Sequence, residues 1–109
     1  MTGKEYQRLA MSTLNPALEN KDVLLNAVMG LCGESGVAID LVKKHLHQGH
    51  ELDKEKLCKE LGDIAWYLAE AAHALDTDLD AIFEGNIAKL KARYPKGFDA
   101  KKSIHREEP

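Results

Sequence analysis

Val23-Leu24-Leu25-Asn26-Ala27-Val28-Met29-Gly30-Leu31-Cys32-Gly33-Glu34-Ser35-Gly36-Val37-Ala38-Ile39-Asp40-Leu41-Val42 is the stretch on which the fold turns, for its only charged side chains are Glu34 and Asp40. Read as a helix, the positions three, four and seven residues from Glu34 are Ala27, Gly30, Leu31, Val37, Ala38 and Leu41, all apolar or glycine. A carboxylate in that lane needs a proton, hydrogen-bond donors or a cation, because a bare buried charge is strongly destabilising. The next helical segment supplies Glu60 and Asp63, three residues apart and on one face. Three carboxylates converging from two facing helices make a site for a hard cation such as Mg²⁺. The stretch is about long enough to span a bilayer, but Glu34, Asp40, Asn26, Ser35 and three glycines favour a buried core helix.

Outward from this segment the chain reads as all-α, four helices and a tail. Thr2-Gly3-Lys4-Glu5 fits a capping box opening a first helix, expected to end near Asn15-Pro16. The second helix is expected from about Asp22 to His47, stopping at Gln48-Gly49. Asp53 can cap a third, on which Leu57, Leu61, Ile64, Leu68, Ala71 and Leu75 form an apolar stripe. Thr77 or Asp78 can cap a fourth, with Leu79, Ile82, Phe83, Ile87 and Leu90 on one face and Pro95 ending it. The domain is therefore 1–95, followed by a polar, irregular tail, 96–109. Opposite the stripe of the third helix lie Cys58, Gly62, Ala65, Trp66, Ala69 and Ala72, small residues that permit close approach. With few helices to cover this second face, self-association through the second and third helices is expected, as a dimer or tetramer.

Composition bounds the function. One domain of 109 residues, 44% hydrophobic and 30% charged, is an ordinary globular chain. A net charge of −3 leaves no footprint for a nucleic acid polymer or an anionic membrane. Cys32 and Cys58 read as buried thiols in a reducing compartment, and no apolar leader opens the chain, so a cytoplasmic location is expected. His45-Leu46-His47-Gln48-Gly49-His50 lacks a suitably spaced fourth zinc ligand and suits a helix end. Tyr67 shares the polar arc of Glu60 and Asp63. Asn86, Lys89 and Arg93 share one helical face, and two cations with an amide at that spacing suit a polyphosphate.

These blocks together resemble the MazG-like all-α nucleoside triphosphate pyrophosphohydrolases. The resemblance rests on Gly30-Leu31-Cys32-Gly33-Glu34-Ser35-Gly36, Asp40 with Lys43-Lys44, Glu60-Leu61-Gly62-Asp63-Ile64-Ala65-Trp66-Tyr67-Leu68, and Asn86-Ile87-Ala88-Lys89-Leu90-Lys91-Ala92-Arg93-Tyr94-Pro95 with Gly97-Phe98. It implies a four-helix, bundle-like protomer and Mg²⁺-dependent cleavage of a nucleoside triphosphate to the monophosphate and pyrophosphate, with Mn²⁺ as a substitute metal. The family's metal site looks like E-x-x-E on one helix facing E-x-x-D on the next. Glu34, Glu60 and Asp63 match it as catalytic metal ligands, while Val37 stands at the position of the second Glu. Asp40 matches the pattern at its own place and lies about 120° around the helix from Glu34. The resemblance puts Tyr67, Asn86, Lys89 and Arg93 at the substrate. Because of Val37, a rival expectation is a weakened or inactive nucleotide-binding scaffold.

Overall fold

The computed structural model describes residues 1–106, so the end of the 96–109 tail, 107–109, lies outside the described residues. Helices α1 (Gly3–Met11), α2 (Asn20–His47), α3 (Lys54–Ala74), α4 (Leu79–Arg93) and α5 (Ala100–Ile104) follow one another, with no β-strand among the described residues. The starts are set by local chemistry. The Thr2 hydroxyl accepts from the Glu5 N–H (3.1 Å) while the Thr2 N–H donates to Glu5, completing the capping box. Asp53 accepts from the Lys56 N–H at 3.0 Å, and Asp78, rather than Thr77, accepts from the Ala81 N–H at 2.8 Å.

The stops differ more from expectation. α1 ends at Met11, short of Asn15-Pro16, because the Ser12 and Thr13 hydroxyls donate to the Leu9 and Ala10 carbonyls and close the helix early. At the end of α3, the Thr77 N–H donates to Ala72 O and the Asp76 N–H to His73 O, with Asp76 at a left-handed φ of 56°. The tail is not wholly irregular. Asp99 caps the short α5, whose Ser103 hydrogen-bonds the Tyr94 hydroxyl and ties the segment back to the end of α4.

α2 and α3 pack as an antiparallel pair, α1 lies across α3, and α4 rests on α1 and α3. Asp80 joins α4 to α1, accepting from the Gly3 and Lys4 N–H groups at 3.1 and 3.2 Å. Gln7 ties α1 to the α3–α4 turn, donating to Thr77 O and accepting from the Leu79 N–H, each at 3.0 Å. The core is small: Ala10, Ala69, Ala72 and Leu79, with Tyr6, Met11 and Trp66 against it. This corrects the expected role of the α3 stripe. The small face of α3, not its leucines, receives α1, because alanines let the two backbones approach closely. Trp66 seals that contact by donating its indole N–H to Ala10 O (3.0 Å) and the Thr13 hydroxyl (2.9 Å).

Leu61, Leu68 and Leu75 are left exposed, as are Val28, Met29 and Ile39 on α2 and Ile82, Phe83 and Ile87 on α4. α2 is thus not the buried core helix expected from its composition; only Val23 and Ala27 are buried along it. Cys32 and Cys58 are likewise exposed thiols rather than buried ones. The helices do not close into a compact bundle. The radius of gyration is 17.0 Å, against about 13 Å for a compact chain of this length.

Candidate metal and nucleotide site

The α2–α3 interface is a polar seam built in three levels. α3 contributes Glu60, Asp63, Tyr67 and Glu70, whose three- and four-residue spacings keep them on one face. α2 answers with Asn26, Gly30 and Glu34, each one turn from the next. At the first level Glu70 is fully buried, and Nδ2 of Asn26 donates to both its oxygens at 3.0 and 2.9 Å. At the second, the Tyr67 ring lies against Gly30. At the third, Glu34 meets Glu60 and Asp63.

One oxygen from each of Glu34, Glu60 and Asp63 lies within 4.8 Å of the others, with the two glutamates half-buried and Asp63 exposed. The Glu60 carboxyl, hydrogen-bonded to Glu34, raises the Glu34 pKa above the ordinary carboxylate value; partial burial and the Glu60 and Asp63 charges add to it. Oε2 of Glu60 is buried without a hydrogen-bond donor. Mutual repulsion, close oxygens and a buried acceptor lacking a donor are the properties of a donor set suited to a hard divalent cation. The residues present fit the metal.

Glu34, Asp63, Trp66 and Tyr67 line a cleft of about 390 Å³ beside these oxygens. The two aromatic rings meet edge to face, 5.2 Å between centroids and 86° between planes. Tyr6 of α1 stands close enough for the Asp63 charge to add to burial in raising its phenol pKa.

Of the expected site residues, the structure brings together Glu34, Glu60, Asp63 and Tyr67. Asn86 and Lys89 are exposed on α4, outside the residues lining that cleft, and Arg93 is half-buried with its guanidinium 5.7 Å from the Tyr94 ring centroid. Val37, at the position where a second glutamate was expected, is 42% exposed. Asp40 does not replace it: Lys44 at 3.0 Å and Lys43 at 3.4 Å engage its carboxylate, and the Lys44 hydrogen bond lowers its pKa. The histidine cluster closes a helix end, with Nδ1 of His45 donating to His50 O at 2.9 Å.

Glu70, Asn26 and Gly30 escaped the sequence reading as parts of this seam. The signal for Glu70 was present, since it extends the spacing of Glu60, Asp63 and Tyr67 by one more turn.

A family model for the MazG nucleotide pyrophosphohydrolase domain matches residues 22–98, which include every residue of the seam and the α4 face with Asn86, Lys89 and Arg93. The Gene 37 protein of Mycobacterium phage L5 is 37% identical over 73 residues, covering 63% of this chain. The match spans 64% of the phage protein, less than two thirds of its length. No solved structure matches the chain significantly. With the family model covering well over half of its length, all-α and carrying an acidic cluster between two antiparallel helices, this chain belongs to the MazG nucleotide pyrophosphohydrolase domain family.

Proposed function

We propose that the protein hydrolyses nucleoside or deoxynucleoside triphosphates to the monophosphate and pyrophosphate, using Mg²⁺ or, in its place, Mn²⁺, in the nucleotide pool of the cytoplasm. The convergence of Glu34, Glu60 and Asp63 oxygens within 4.8 Å carries this reading. A divalent ion held there supplies charge neutralisation at the phosphates and lowers the pKa of attacking water. Around it, the three carboxylates fix the ion, and Tyr67 walls the space for the base or sugar. Asn86, Lys89 and Arg93 lie outside the cleft that Tyr67 lines, and the family resemblance alone assigns them to the substrate. In that assignment Asn86 offers an amide, Lys89 a point charge and Arg93 a planar fork for phosphate oxygens. The deciding assay is pyrophosphate release from a panel of NTPs and dNTPs with Mg²⁺ or Mn²⁺.

A second reading, a nucleotide-binding scaffold without turnover, is favoured by Val37. The substitution Val37→Glu separates the two, since an exposed position accepts the charge without a burial penalty. Mg²⁺ keeps several waters and relies on few carboxylates plus substrate phosphates, so we expect turnover to change by less than about tenfold. A far larger gain would make the native protein the degenerate binder.

The uncovered apolar residues of α2, α3 and α4 also support a homo-oligomer, dimer or tetramer, formed through the central helices. Sedimentation at micromolar concentration is expected to show a multiple of the 12.1 kDa chain. A profile of 12.1 kDa monomer alone would count against the association.

A further inference from the structure

Gly30 lies in the interior of the 28-residue α2, where glycine weakens a helix relative to alanine. The reason for it is across the seam. A Cβ built on Gly30 would collide with Cε1, Cδ1 and Cζ of Tyr67, far inside contact distance. Tyr67 therefore lays the face of its ring, on the Cε1 side, over the bare backbone of α2 at Gly30. The flanking Trp66 is held independently, its N–H donating to Ala10 O and the Thr13 hydroxyl. Two aromatic rings, one anchored on α1 and one seated on α2, are thus fixed perpendicular to each other in the cleft that Glu34 and Asp63 also line.

We infer that Gly30 is a positioning residue for substrate: it seats the Tyr67 ring so that, with Trp66, it forms the wall against which the nucleobase packs. This rests on the nucleotide reading above and adds to it a determinant of base recognition that makes no contact of its own with the metal. Aromatic faces bind nucleobases by stacking, which requires the ring to be held in place before the ligand arrives. A methyl group at position 30 would drive the ring off α2 and alter the slot while leaving all three carboxylates in the chain.

Trp66 is the sole tryptophan, so its emission reports on the slot directly. The experiment titrates wild type, Gly30→Ala, Tyr67→Ala and the double variant with Mg²⁺ complexes of the four α,β-imido-dNTPs, following Trp66 emission. Mn²⁺ affinity without nucleotide, measured by calorimetry, serves as the control on fold and carboxylates. Gly30→Ala is expected to weaken nucleotide binding about tenfold, the scale of one base–aromatic stack, with Mn²⁺ affinity kept. In the Tyr67→Ala background, where no ring is left to displace, it is expected to add nothing. Additive losses, or a Gly30→Ala affinity within about twofold of wild type, overturn the seat alone. Loss of Mn²⁺ binding in both backgrounds overturns it too, by assigning Gly30 to the carboxylate cluster. If none of the four nucleotides binds to wild type, the nucleotide reading falls, and this role with it.

Discussion

Glu60→Gln is expected to lower pyrophosphate release by two to three orders of magnitude, the rate equivalent of the several kcal/mol that a catalytic metal contributes to a transition state. The substitution keeps shape and polarity but removes the charge at the half-buried centre of the cluster, beside the oxygen that has no donor of its own. Asp63→Asn is expected to behave alike. In both variants Mn²⁺ affinity falls together with turnover, while nucleotide-free helicity is unchanged. The apoprotein itself is expected to tolerate the loss, because one of three mutually repelling carboxylates has gone. Turnover that survives either substitution would falsify the assignment of the cluster as the metal site.

The second large effect is on stability. Asn26→Leu leaves Glu70, which is fully buried, without the amide that serves both its oxygens. Stranding a buried carboxylate in this way costs about 3–5 kcal/mol, a large share of the stability of a small domain. Removing both partners should behave differently. The double variant Asn26→Leu with Glu70→Leu deletes the desolvated charge along with its donor, and such replacements are often neutral or stabilising. Urea denaturation of the single and double variants gives the comparison; a double variant as unstable as the single would show that the pair is needed for more than mutual satisfaction.

Much of this architecture was legible because it is local. Thr2 with Glu5, Asp53 and Asp78 announce helix starts within four residues, and all three caps form. The carboxylate cluster was legible for a related reason. Glu34 stands out in an apolar stretch, and Glu60 and Asp63 are bound to one face by helical periodicity alone. What periodicity does not specify is which face of a helix is covered. α3 has a leucine stripe, which read as interior, and an alanine face, which read as a surface for self-association. Close packing of α1 on the alanines decided between them, leaving Leu61, Leu68 and Leu75 outside. Gly30 was illegible for a third reason: its meaning depends on the residue opposite it, which is a matter of register between helices and not of spacing along either one.

That register has a consequence at a distance. Asn26 and Glu34 are two turns apart on α2, about 12 Å along its axis. A slide of one helix past the other by a single turn, about 5.4 Å, would carry Glu34 away from the Glu60–Asp63 pair while leaving both helices intact. The buried amide–carboxylate contact opposes such a slide, acting on the ion site as a vernier acts on a scale. Drift at that pair would therefore dismantle the site through misalignment rather than through loss of any ligand.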